Sequence, residues 1–169
     1  MITLKIFMHS KVYWLHQTSN QARIGIMARP RGEEWLQGEI ANLAKQGIGV
    51  MVSLLESHEI RELGLSRQPD LCAQYDIQFI NYPIPDRNIP AHSGKVRDLV
   101  TSLQQSLGNG KTIVIHCRMG IGRSSIIAGC LLLHLGLPFN NLIEHVSKAR
   151  GLKVPDTEEQ INWLKKWNP

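Results

Sequence analysis

Thr112-Ile113-Val114-Ile115-His116-Cys117-Arg118-Met119-Gly120-Ile121-Gly122-Arg123-Ser124-Ser125 passes from a β-favouring run, through a turn rich in glycine, into a long apolar segment. Thr112 to His116 reads as a strand and the stretch from about Ser124 to Leu135 as a buried helix. The turn therefore joins a strand end to a helix start, the place where sheets flanked by helices put their ligands. The first turn of such a helix offers N–H groups without intrahelical partners and the positive end of the helix dipole, which together cradle an anion. Gly120 and Gly122 let the loop curl and let a ligand reach its backbone, since they carry no side chain and tolerate positive φ. Arg123 adds a planar fork of donors suited to two phosphate oxygens. Cys117 stands at the bottom of this cradle, where surrounding N–H groups stabilise the thiolate, the nucleophilic form. A phosphoryl group bound there would lie directly in front of it.

Outward from this stretch, strands alternate with helices. Ile48 to Leu55 is a buried-type strand, Ile77 to Tyr82 another, and two short runs, Val12 to Leu15 and Ala22 to Met27, form a strand pair with Asn20 near the turn. Helical spacing of Trp35, Leu36, Ile40, Leu43 and Ala44 predicts a helix over Glu33 to Gln46, stopped by Gly47. Glu56 to Leu63 makes a short helix ended by Gly64, and Pro83, Pro85 and Pro90 mark a loop. Ser93 caps a helix whose face is Val96, Leu99, Val100, Leu103 and Leu107; two more helices run from about Asn140 to Arg150 and from about Thr157 to Trp167. The expected fold is α/β: a central, mostly parallel sheet with helices on both faces and the phosphate loop between a strand and a helix.

The composition sets bounds on function. A chain of 169 residues, 43% hydrophobic and 20% charged, suits one folded domain over residues 1–169. The net charge of +5 favours anionic partners by steering. Nucleic acid is not expected, because no cluster of five or more Lys and Arg occurs and aromatics are only 6%. The apolar run Ile126 to Leu137 is too short to span a bilayer, and Met1 to Lys11 lacks the pattern of a secretory signal. The expectation is a cytoplasmic protein, monomeric by default, with Cys72, Cys117 and Cys130 reduced.

His116-Cys117, the five residues Arg118 to Gly122, Arg123 and Ser124 match the signature of the cysteine-dependent phosphatases. From Ile48 to Trp167 the chain resembles a compact dual-specificity phosphatase and is similar to the kinase-associated phosphatases. The resemblance implies a phosphorylated protein substrate carrying phosphotyrosine and phosphoserine or phosphothreonine, with no metal or organic cofactor. It makes Cys117 the nucleophile, Arg123 and the amides of Arg118, Met119, Gly120, Ile121 and Gly122 the phosphate ligands, and Ser124 the group that stabilises the departing thiolate. It also implies a general acid in the loop before the cysteine, where Asp86 is the acidic residue of Pro83 to Pro90. Without the cysteine motif Asp86 would read as an ordinary turn residue. His116 either tunes the thiolate through loop hydrogen bonds, as in the family, or simply satisfies its backbone neighbours. Gln160 matches a family glutamine that orients the hydrolytic water, yet Thr157-x-x-Gln160 is also a capping box.

Other readings compete. Gly108-Asn109-Gly110-Lys111-Thr112 lacks the earlier glycine of a nucleotide-binding loop and precedes a strand; Gly120-Ile121-Gly122 lacks the third glycine of a dinucleotide fingerprint. The three cysteines and seven histidines have no zinc spacing. Cys130 reads as a core residue, and Cys72 as a possible disulfide partner of Cys117 under oxidation. Low-molecular-weight phosphatases and arsenate reductases place the loop near the N-terminus, unlike this chain. A phosphoinositide phosphatase would favour lysines inside the loop. A phosphatase acting on a phosphoinositide or an RNA 5′-triphosphate and a non-catalytic phosphoprotein-binding module remain the alternatives, the last disfavoured because binding alone needs neither nucleophile nor acid.

Overall fold

The computed structural model describes residues 8–169, so the first seven residues of the stretch read for a leader lie outside it. Its strands are β1 (Tyr13–Gln17), β2 (Arg23–Ala28), β3 (Ile48–Ser53), β4 (Gln78–Asn81) and β5 (Thr112–Cys117). They form one sheet in the order β1-β2-β5-β3-β4, with β1 antiparallel to β2 and the remaining pairs parallel. The helices are α1 (Leu36–Lys45), α2 (Ser57–Glu62), α3 (Gln68–Gln74), α4 (Ser93–Gly108), α5 (Arg123–His134), α6 (Phe139–Arg150) and α7 (Glu158–Lys166). No helix among the described residues is long and apolar enough to cross a membrane.

Side-chain alternation along the strands feeds two apolar layers. Val50, Val52, Ile113 and Ile115 face one layer, built with α4, α5, α6 and α7. Met51 and Val114 face the other, built with α1 and α3. All six residues of β5 are buried, as expected of a strand paired on both sides and covered on both faces. The run from Arg123 to Leu132 is likewise buried on every side, because α5 lies between the sheet and α4, α6 and α7. β5 and α5 thus form the innermost strand–helix unit, and the loop between them is anchored at both ends.

The mostly parallel sheet and two-sided helical cover match the expected class. Helix α3 falls between Gly64 and Ile77, where the residue pattern predicts no element; Pro69 in its first turn is pre-set to helical φ. Two local readings change. Ser93 is the first residue of α4, with His92 at the cap position and no side-chain cap bond. The expected start of the first helix is a short 3-10 turn, Glu33–Trp35, which leaves Trp35 37% exposed rather than in the core.

Candidate active site

The C-terminal ends of β2, β5 and β3 meet at one edge of the sheet. Ala28 is in register with Cys117 and Ser53 with His116, and the Leu54 N–H donates to the His116 carbonyl at 3.0 Å. Beyond Cys117 the chain loops through Arg118 to Gly122 and enters α5 at Arg123. Gly120 takes φ +66, and a Cβ there would lie 2.4 Å from the Met27 carbonyl carbon, so the loop touches the backbone of β2. Gly122, expected to use positive φ as well, lies at φ −86 and caps α5. Its lack of a side chain serves packing instead: a Cβ would stand 2.9 Å from the Gln160 amide and 3.2 Å from Asp156 Cβ.

Among the described residues no backbone N–H from Met119 to Gly122 donates to a protein acceptor. Two carbonyls of the same loop are occupied. Arg150, at the end of α6, donates from Nε to the Gly120 oxygen at 2.8 Å and from Nη2 to the Met119 oxygen at 3.2 Å. The loop's acceptors are tied outside while its donors stay free, the polarity an anion requires. Arg150 itself stacks over the Tyr13 ring, 4.1 Å from its centre.

Cys117 is 3% exposed and its Sγ lies 3.4 Å from Ser124 Oγ. Arg123 is 1% exposed, and its guanidinium is held by Glu59. Nη1 donates to Glu59 Oε2 at 2.8 Å and to the Ile84 carbonyl at 2.9 Å; Nη2 donates to Glu59 Oε1 at 2.9 Å and to Asp86 Oδ1 at 3.0 Å. Nε has no acceptor among the described residues. The fork that matches two oxygens is therefore spent on a buried carboxylate. The donors left for a phosphate are Nε–H and the Nη2–H now resting on Asp86.

Glu59, on α2, is also 1% exposed. Burial alone would raise its pKa, but hydrogen bonds from Arg123 and from the Glu56 N–H, with the charges of Arg123 and Arg118, hold it below the usual carboxylate range. Burial opposes the charge on Arg123 too, and the Glu59 hydrogen bonds, aided by the charges of Cys117, Glu59 and Asp86, raise its pKa instead. The two stay ionised as a pair. Neither Glu59 nor Arg150 was legible as a site residue, because a Glu in a short helix and an Arg at a helix end are the commonest solvated residues of a sequence.

His116 points to the opposite face of the sheet and is fully buried. Gln68 Nε2, an amide donor from α3, lies 2.9 Å from His116 Nε2, so that nitrogen accepts, and Nδ1–H donates to the Cys117 carbonyl at 3.3 Å. Burial pushes its pKa down to about 4, the Cys117 carbonyl opposes this, and the Arg123 and Arg29 charges add to it. Cys72 lies with His116 in the layer against α1 and α3, whereas Cys117 belongs to the other layer. The structure does not bring them together as the considered disulfide requires. Cys130 is a fully buried core residue whose thiol burial holds well above its ordinary pKa.

Cys117, Gly122 and Arg123 floor a cleft of about 60 Å³, with Asp86, Arg87, Met119, Ile121 and Asp156 around it. Asp86 is 54% exposed at its mouth. Gln160 is fully buried and forms the capping box of α7 with Thr157. Of the residues selected from sequence, Cys117, Asp86 and Arg123 are brought to this cleft with the loop; Ser124, His116 and Gln160 lie one contact behind it.

A family model described as "Polymorphic toxin system, DSP-PTPase phosphatase" matches residues 25–137. Cyclin-dependent kinase inhibitor 3 of Rattus norvegicus is 30% identical over 131 residues, 76% of this chain and 61% of that protein. The chain thus spans less than two thirds of that relative's length. Protein tyrosine phosphatase type IVA 3 of Mus musculus is 23% identical over 95 residues, 55% of this chain and 53% of that protein. Among solved structures, a kinase associated phosphatase with serine replacing its catalytic-site cysteine superposes with a TM-score of 0.84 at 24% identity, covering 94% of this chain and 93% of the other.

Proposed function

The chain belongs to the DSP-PTPase family, the dual-specificity and tyrosine phosphatases, and on that premise we propose that it hydrolyses phosphomonoesters on protein through a phosphocysteine intermediate. The observation that carries the reading is the placement of Cys117 Sγ below unengaged loop N–H groups, beside an Arg123 locked by Glu59 and touched by Asp86.

In the first step the Cys117 thiolate forms a bond to phosphorus as the bond to the ester oxygen breaks. Arg123 and the amides of Arg118 to Arg123 hold the equatorial oxygens, and Asp86 gives its proton to the leaving oxygen. In the second step water attacks phosphorus, its proton passes to Asp86, and the S–P bond breaks. The Ser124 hydroxyl, 3.4 Å from Sγ, donates to the thiolate that returns. Glu59 contributes by fixing the plane of the guanidinium, and Arg150 by fixing the loop.

The cleft's small volume, about 60 Å³ with a half-exposed Asp86 at its mouth, supports acceptance of phosphoserine and phosphothreonine beside phosphotyrosine. The names of the rat relative and of the structural neighbour point to phosphorylated kinases as the partner class. Three free, buried cysteines support a reducing, cytoplasmic setting. The whole of 1–169 would act as one phosphatase domain.

The test is hydrolysis of p-nitrophenyl phosphate by the wild type and Cys117→Ser, in reducing buffer with EDTA. Turnover should survive EDTA and vanish in the variant, which should still bind the ester. Turnover that persists in Cys117→Ser, or that EDTA abolishes, would remove the mechanism.

A further inference from the structure

Gln160 does more than close a capping box. Its Oε1 accepts from the Asp156 N–H at 3.1 Å and the Thr157 N–H at 3.2 Å, which fills both lone pairs of that oxygen. Its Nε2 turns the other way and donates to the Asn88 carbonyl at 3.0 Å. Asn88 lies two residues beyond Asp86. The same amide packs against Gly122 so closely that a Cβ there would stand 2.9 Å from both its polar atoms. One buried side chain therefore touches the start of α7, the end of the phosphate loop and the loop that carries the acid.

That loop has few other moorings. The hydrogen bonds made by the Arg87, Asn88 and Ile89 N–H groups stay within the loop, to Asp86 Oδ1, the Pro85 carbonyl and Asn88 Oδ1. Its outward ties from Asp86 to Pro90 are three among the described residues: Asp86 on Arg123, Arg87 on Asp156 at 3.6 Å, and the Asn88 carbonyl on Gln160. Arg87 and Asp156 are 68% and 37% exposed, so theirs is a weak surface pair. Asp86 must give up Arg123 Nη2 when a phosphoryl group arrives. On the side before Asp86 the Arg123 bond to the Ile84 carbonyl still holds the chain; beyond Asp86 the Gln160 bond is then the one outward hydrogen bond besides the weak Arg87 pair.

We propose that Gln160 is the positioning residue of Asp86, its amide holding the acid loop over the cleft through the Asn88 carbonyl once a phosphoryl group has displaced Asp86 from Arg123. The inference rests on the phosphatase reading given above. It assigns Gln160 to the first chemical step, whereas a water-orienting role belongs to the second and needs an acceptor lone pair that Oε1 no longer has.

Two variants are compared. Gln160→Leu removes the tie and the Oε1 half of the cap, leaving Thr157 Oγ1 on the residue-160 N–H, while Thr157→Ala removes that Oγ1 half and leaves the Asn88 contact. Because kcat/KM reports only steps up to departure of the first product, it isolates the acid. Gln160→Leu should lower kcat/KM for phenyl phosphate at least about tenfold more than for p-nitrophenyl phosphate. Thr157→Ala should keep the wild-type ratio. In saturating inorganic phosphate, amide hydrogen exchange over residues 84–90 should quicken in Gln160→Leu and not in Thr157→Ala.

Equal losses on both esters would overturn the proposal. So would a nitrophenolate burst with unchanged kcat/KM, the sign of a second-step role, or Thr157→Ala reproducing the selective loss. A wild type without turnover would sink the phosphatase reading instead, and exchange over 84–90 would still decide whether the tie exists.

Discussion

His116 makes the protein's stability depend on acidity between about pH 4 and pH 6.5. In the unfolded chain its imidazole takes a proton near pH 6.5; in the fold, buried beneath Cys117 and accepting from Gln68, it does so only near 4. Between those values the unfolded state binds more protons, so stability rises with pH. The contribution is complete above about pH 6.5 and is lost as pH falls towards 4. The gap corresponds to about 3 kcal/mol in all, and to about 2 kcal/mol between pH 7.5 and pH 5. Urea unfolding of the wild type and of His116→Gln at pH 7.5, 6 and 5 reads it directly. The replacement carries its own fixed cost, so the test is the difference between the two pH dependences. Glu59 acts in the same direction, its stabilisation being present above about pH 4.5 and lost as pH falls through its lowered folded value, but it cancels in that difference. The wild type should lose about 2 kcal/mol more than the variant, about 1 M in urea midpoint. Parallel curves would show that His116 is not held neutral and would refute the reasoning.

Two further outcomes follow from the arginine at the centre of the site. Glu59→Gln leaves the Arg123 charge buried with only Asp86 and main-chain carbonyls to answer it, and should cost about 3 kcal/mol in unfolding free energy together with most of the turnover; a loss under about 1 kcal/mol would mean that the pair is not what holds the guanidinium. Asp86→Asn should do opposite things to binding and rate. Inorganic phosphate no longer competes with a carboxylate for Arg123 Nη2 and should inhibit up to about fivefold more tightly, the worth of a half-exposed ion pair, while phenyl phosphate turnover falls. Weaker inhibition would deny the competition.

What could be read from residue order was the part that depends on local pattern. The strand Thr112–Cys117, the loop and the apolar helix after it announce themselves through periodicity and glycine placement, and with them come Cys117, Arg123 and Ser124. Asp86 needed the cysteine motif to be noticed, since a turn aspartate has no distinguishing neighbours. Glu59, Gln68 and Arg150 stayed hidden because their roles come from contacts across 64, 48 and 30 residues of chain. Nothing local distinguishes a glutamate that will be buried against an arginine from one that will face water. Gly122 shows the same limit: its need for glycine was visible, but the reason, an approaching side chain from α7, belongs to tertiary packing.

Cys117 and Asp86, the proposed nucleophile and acid, sit in parts of the molecule that open at very different free energies. Cys117 ends a central strand whose hydrogen bonds run to neighbours on both sides, so its amides should exchange only through near-global unfolding. Asp86 rides on an exposed, proline-bounded segment whose own N–H bonds are all local, so that segment opens without the rest. In rising denaturant the protein should first become an enzyme for activated esters alone, keeping its cradle and thiolate after it has lost the proton donor, and only later cease to be folded.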